Sequence, residues 1–234
     1  MKAKIRVPFF ETSVKNYIYG DAVLEYAKAA EAAAKEYDVD VIFVAPYTDI
    51  RRVRENTERL IVFAPYMDAI YPGRGIADVL PEALKAAGAQ GVVLNHSERP
   101  MTLTAIKKTI ERANELDMLS FVCVDTISEA QAIAHLHPDI MNPEPTELIG
   151  SGKVSDMAYV KEVVRAVKAI DPAILVEQAA GITTAQQVYD FIMAGSEAGG
   201  AASGILKSSD PLTLLHEMVR YMRKASDELA RRAR

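Results

Sequence analysis

Only one cysteine, Cys123, occurs in 234 residues, so no disulfide can close within the chain, and a reducing cytoplasm is the expected setting. Tryptophan is absent and histidine appears four times. No apolar run reaches the roughly 18 residues of a membrane span. The opening stretch "MKAKIRVPFFET" has no apolar segment before a cleavage site, so no signal peptide is expected. Positive charge is not in excess: 27 Lys and Arg against 32 Asp and Glu leave a net charge of −5, which argues against a nucleic-acid partner. There is no P-loop or dinucleotide fingerprint, and no cofactor is expected. No linker, low-complexity tract or internal repeat divides the chain, so residues 1–234 read as a single domain.

What is present is an alternating rhythm. Half the residues are apolar and a quarter are charged, enough for a large core. Short apolar, β-branched runs recur at 4–10, 40–46, 59–65, 91–95, 119–124, 139–142 and 174–178, with a weaker eighth at 196–203. Apolar residues on consecutive positions suit strands buried on both faces, as in parallel sheets. The eighth run is the weakest, because Gly199-Gly200 and its small neighbours have poor strand propensity. Between the runs lie helical stretches at 21–36, 48–57, 78–88, 102–115, 127–136, 155–169, 184–194 and 211–231. Eight such pairs imply an α/β fold, a (β/α)8 barrel, whose site lies at the C-terminal ends of its strands.

Those ends carry chemistry. After the first run comes Ser13-Val14-Lys15-Asn16-Tyr17, after the fourth Asn95-His96-Ser97-Glu98-Arg99, and after the sixth "NPEPTELIGSG". After the seventh and eighth come Ala179-Ala180-Gly181 and Ala202-Ser203-Gly204. Glu144 stands between Pro143 and Pro145, each of which fixes its own φ and restricts its predecessor, so this carboxylate is held stiffly. Gly150-Ser151-Gly152 can hinge a lid and let backbone N–H groups approach an anion. A base, an electrophile, a cation and two small-residue turns would therefore share one mouth.

Those segments resemble the triosephosphate isomerase family, especially its shorter archaeal-type members. "NHSER" is similar to the family's strand-four motif and "EPTELIGSG" to its catalytic-glutamate and lid motif. "LPEALKAAGAQGVVLNHSER" and "ASGILKSSDP" are similar as well, and the likeness runs from about residue 20 to residue 211. It implies a TIM barrel that shuttles a proton between adjacent carbons of a small phosphorylated sugar through an enediolate, without metal. It also implies Glu144 as base, His96 as neutral electrophile and Glu98 as a supporting carboxylate. The backbone at Gly150, Gly181, Ala202 and Ser203 would face the phosphate, and a homo-oligomer is implied too.

The likeness fails at two places. The family carries Asn-x-Lys directly after strand one. Lys15 is taken as the cation, with Ser13 for the asparagine, because only that alignment keeps a positive charge to stabilise phosphate and enediolate. A competing alignment puts Glu11 there, where an anion would repel the same ligand. In the third loop, "PGRGIAD" sets Ile76 where the family has a threonine that reaches a neighbouring subunit. Both changes fall on the substrate side, which points to a triose phosphate or a longer relative, with Arg74 available to it. Alternatives are a barrel epimerase or aldolase, though no strand-interior lysine follows Lys4 for a Schiff base, and a non-catalytic binder of a phosphorylated metabolite. Glu147 reads as a lid-surface charge, Cys123 as a core residue of strand five, and His135, His137 and His216 as structural or solvated.

Overall fold

The computed structural model describes residues 1–232. Eight parallel strands close into a barrel in sequential order, from β1 (Phe9–Ser13) through β2 (Val41–Val44), β3 (Ile61–Ala64), β4 (Gly91–Leu94), β5 (Leu119–Val124), β6 (Ile140–Pro143) and β7 (Leu175–Gln178) to β8 (Ala198–Ala201). The helices that cover it are α1 (Asp21–Tyr37), α2 (Ile50–Asn56), α3 (Pro81–Ala87), α4 (Leu103–Glu115), α5 (Ile127–Ala134), α6 (Met157–Lys168) and α7 (Ala185–Met193). A one-turn α8 (Ser203–Leu206), which the sequence pattern does not announce, precedes the long α9 (Pro211–Arg232). Among the described residues no helix is long and apolar enough to cross a membrane.

Strand periodicity divides the core in two. Alternate side chains such as Phe10, Val41, Phe43 and Val62 face outward and pack under the helices. The others, among them Phe9, Ile42, Phe63, Val93, Phe121, Cys123 and Ile140, fill the barrel. Helix starts are set by side-chain caps: Thr102, Thr126 and Asp156 each accept a backbone N–H, and Thr184 forms a reciprocal box with Gln187.

The first strand differs from its sequence expectation. It begins at Phe9 rather than residue 4, and runs on to Ser13. Pro8 has no N–H for a ladder. The charged residues before it are spent elsewhere, Lys2 on Asp139 at 2.7 Å and Arg6 on Asp40 at 2.7 Å, so this segment closes the bottom of the barrel instead. The shift moves Glu11 from the strand's exit into the barrel.

β8 is a full member despite its glycines, paired to β1 and β7. Gly200 is opposite Glu11, and a Cβ there would collide with both Glu11 Oε2 and Glu177 Oε1. The missing side chain is what lets two carboxyl groups enter the barrel. The upper interior is therefore split, with apolar residues from β2 to β5 on one side and Glu11, Asn142, Glu177 and Gly200 on the other.

Burial, reinforced by the charge of Glu144, pushes the Glu11 carboxyl up to about 8. Burial and then Glu11 push Glu177 well above the carboxylate range. Both groups hold their protons to higher pH in the folded chain than in the unfolded one. Their contribution to stability is thus intact below about pH 4.5 and is lost as pH rises toward 8. Urea unfolding at pH 5 and pH 8 tests this: Glu177→Leu should show a smaller loss of stability between the two pH values than the parent. Equal losses would mean that the pair is not protonated in the fold.

Candidate active site

The strand-end residues given roles from the sequence open on one cavity of about 510 Å³ at the C-terminal mouth of the barrel. Lys15, His96, Glu98, Glu144, Gly150, Gly181, Ala202 and Ser203 all line it. Arg74 does not. It is exposed on the loop after β3, outside the lining of this cavity, and Arg99 lines the cavity instead, 4.7 Å over the ring of Tyr66.

Glu144 follows β6 directly. Its N–H donates to the Val124 carbonyl at 2.7 Å, and the next free N–H, that of Thr146, donates to Asp125 Oδ1 at 2.6 Å. The two prolines leave the intervening backbone little freedom. The carboxylate is thereby aimed into the mouth, with Oε2 3.9 Å from His96 Nε2 and 3.5 Å from Asn142 Nδ2. Burial raises its pKa to about 7, Lys15 opposes that rise and Glu98 adds to it. A carboxylate at that value is a base matched to neutral pH.

His96 sits in a turn closed by Arg99 N–H on its carbonyl at 2.7 Å. The backbone N–H of Glu98 donates to His96 Nδ1 at 3.1 Å. That nitrogen is therefore an acceptor, and the ring proton belongs on Nε2, which faces Glu144. Burial first, then the charge of Lys15, depress the ring pKa to about 4, against a smaller pull from Glu98. No helix terminus is needed to keep this imidazole neutral, since α4 starts only at Leu103.

Lys15 has φ +43, unusual for a residue with a side chain, just past the end of β1. Its Nζ donates to Glu98 Oε1 at 2.9 Å, and its side chain is 18% exposed. Burial pushes Glu98 up, but the Lys15 hydrogen bond and charge carry it below its ordinary value. Glu11, the competing candidate, lies four residues before Lys15, inside the strand, and lines the same cavity.

The turns after β6, β7 and β8 meet through close backbone approaches. At Gly181, with φ +73, a Cβ would run into the carbonyl of Lys153, so the turn after β7 lies directly on the end of the segment that follows Glu144. Ser151 Oγ donates to the Leu148 carbonyl at 2.8 Å and accepts from Lys153 N–H at 3.0 Å, which folds that segment on itself. Gly150 comes near Ser203 Oγ. Among the other histidines, His137 pairs with Asp171 at 2.7 Å and His216 with Glu36 at 2.9 Å, away from the mouth.

Sequence reasoning did not single out Asn142 or Glu177, and gave Glu11 only as a rejected alignment. The signal was there: a charged residue inside an otherwise apolar strand run, in "PFFETS" and "ILVEQ", is costly unless it has a use.

The description "Triosephosphate isomerase" belongs to the family model that matches residues 9–184. The triosephosphate isomerase of Sulfolobus acidocaldarius is 35% identical over 212 residues, covering 90% of this chain and 92% of that protein. That of Methanothermus fervidus is 36% identical over 87% of this chain and 92% of its own length. That of Methanosarcina mazei is 34% identical over 92% and 99%. A crystal structure of the Bartonella henselae triosephosphate isomerase superposes with a TM-score of 0.74 at 16% identity, covering 93% of this chain and all of that one, and speaks to the fold alone.

The His96 assignment has a direct spectroscopic test. Nitrogen-15 NMR of the ring should show a neutral Nε2–H tautomer unchanged from pH 5 to 8. A titration midpoint near the ordinary value of about 6.5 would mean that the ring is solvated and not held by Glu98.

Proposed function

The chain belongs to the triosephosphate isomerase family, and from that premise we propose that it interconverts the aldose and ketose forms of a triose phosphate with Glu144 as the proton-transfer base. The observation that carries this reading is the pairing of Glu144, raised to about 7, with a His96 depressed to about 4 across 3.9 Å. At neutral pH the first can take a proton from carbon while the second, neutral, can donate one hydrogen bond to the adjacent carbonyl oxygen.

In this reading the substrate phosphate lies against the backbone at Gly150, Gly181, Ala202 and Ser203, whose small side chains leave their N–H groups open to an anion. The carbon next to the carbonyl faces Glu144. Removing its proton pushes charge onto the carbonyl oxygen, where His96 Nε2–H and the Lys15 ammonium stabilise the enediolate. The hydroxyl proton passes to the charged oxygen by way of the Glu144 carboxyl or His96 Nε2, and return of the carbon proton from Glu144 to the neighbouring carbon completes the isomerisation, with no net gain or loss of atoms. The segment 146–152, with half-buried Leu148 and Ile149, would cover the intermediate and exclude water. Glu98 holds Lys15 in place through the 2.9 Å ion pair. A homo-oligomer in the cytoplasm belongs to the same reading. The exposure of Ile76 (96%) and Tyr71 (61%) on the loop after β3 supports a partner surface there.

Two substitutions test the roles. Glu144→Asp retracts the carboxylate by one methylene, and a displacement of about 1 Å should lower kcat on the order of 100-fold. Unchanged turnover of triose phosphate would remove Glu144 from the chemistry. His96→Gln should lower kcat more than it alters KM, because its hydrogen bond strengthens as charge develops. An effect on KM alone would make His96 a ground-state contact.

A further inference from the structure

A triose phosphate held on the turns after β6, β7 and β8, with its reacting carbons between Glu144 and His96, uses only part of the cavity. The wall built by Tyr47 after β2, Pro65 and Tyr66 after β3 and Arg99 after β4 has no task in that reaction, yet it lines the same 510 Å³. That volume falls in the range of pockets for ligands larger than a three-carbon sugar. In the closed ring β3 and β4 lie four places from β7 and β8, so this wall faces the phosphate turns across the mouth.

Two cations line the cavity, Lys15 and Arg99. Lys15 already shares its charge with Glu98 at 2.9 Å. Arg99 is exposed to the cavity, and no carboxylate among the described residues pairs with its guanidinium. Its position is nonetheless set. The guanidinium lies 4.7 Å from the centre of the Tyr66 ring. Tyr66 is held by its hydroxyl, which donates to Asp68 Oδ1 at 2.7 Å. Asp68 is held in turn by the Val79 N–H, which donates to Oδ2 at 2.7 Å, and by its own N–H on the Val79 carbonyl at 3.0 Å. The acid on this wall is thus taken up with holding the ring and does not neutralise the arginine. Tyr47 stands close enough for the charge of Arg99 to oppose the rise that burial gives its phenol.

A guanidinium has only donors, in a planar fork that matches a carboxylate or phosphate. One already resting on an aromatic face loses less freedom when it binds, so more of the interaction appears as affinity. A cation would be repelled here, and a lone sugar hydroxyl would leave most of the fork unused. Resting on the isomerase reading for the place of the first phosphate, we propose that Arg99, held on Tyr66, is a second anion subsite of the cavity. Its ligands are small molecules with a charged group at each end, bisphosphorylated sugars or phosphorylated sugar acids. One phosphate lies on the turns after β6, β7 and β8, and the second phosphate or the carboxylate takes the fork of Arg99. A ligand bridging the two walls covers Glu144 and His96, so it competes with triose phosphate.

Calorimetry on the full chain compares butyl phosphate with butane-1,4-diol bisphosphate and 4-phosphonooxybutanoate, and with their three- and five-carbon homologues. At one chain length a doubly charged probe should bind at least about 10-fold more tightly than the monophosphate, the gain of a charge-assisted hydrogen bond. The bisphosphate and carboxylate arms show which second group the fork prefers. Arg99→Met should bring that ratio to within about threefold, and Arg99→Lys, which keeps the charge without the fork, should leave an intermediate ratio. Arg74→Met, which removes an exposed charge outside the lining, should leave the ratio as in the parent. A parent ratio near one, a ratio unchanged in Arg99→Met, or one lowered equally by Arg74→Met overturns the subsite. Turnover of triose phosphate by the parent is read separately. Its absence overturns the isomerase reading, whereas turnover without the ratio overturns the subsite alone.

Discussion

The desolvation of Glu144, checked by Lys15, is the interaction on which the rest of the site depends. A carboxylate this deep would by burial alone become a weak acid too rarely ionised to serve at neutral pH. Lys15 restrains that rise while the same charge depresses His96. One ammonium thus sets two opposite protonation states a few ångströms apart. Glu98 takes the remaining demand for negative charge, pairing with Lys15 at 2.9 Å and fixing the imidazole tautomer through its own backbone N–H. Moving any one of these groups changes the titration of the others.

The barrel supplies the positions. Parallel strands end at a common rim, so residues separated by more than a hundred positions in the chain meet there without any long-range designed contact. Local devices then set each side chain: the Val124 carbonyl and two prolines for Glu144, a left-handed backbone at Lys15, a closed turn at His96. The close approach of Gly181 to Lys153 ties the end of the segment over the mouth to β7, while its centre, at Gly150 to Gly152, retains glycine freedom at both ends.

Much of this was legible in the chain, for reasons that differ by element. Strands β2 to β7 announced themselves because burial on both faces demands unbroken apolar runs, and the eight-fold alternation then leaves few architectures. β1 was misjudged because an apolar run before Pro8 looks the same whether it forms a ladder or a plug; its true position depends on Asp38, Asp40 and Asp139, distant acids that claim Arg6 and Lys2. That error placed Glu11 at a strand exit instead of inside the barrel. β8 looked weak because propensity counts only what a residue carries, whereas Gly200 is defined by what its neighbours need. The strand-end residues were readable from type and position; the charge inside "ILVEQ" marked Glu177, but the room it occupies is left by Gly200 on another strand.

In the proposed isomerase, Lys15 holds Glu144 in the range where it can act as a base near neutral pH. The pH dependence of kcat/KM for triose phosphate reports the ionisation of groups in the free enzyme. In the parent its acidic limb should have an apparent pKa near 7, that of Glu144. In Lys15→Met, whose stem is kept and whose charge is gone, the limb should move to higher pH, because the group that opposed the rise has been removed. A lower maximal rate is expected in addition and does not bear on the limb's position. If the limb stays where it was, or moves to lower pH, the charge of Lys15 does not govern Glu144 and the central claim is contradicted.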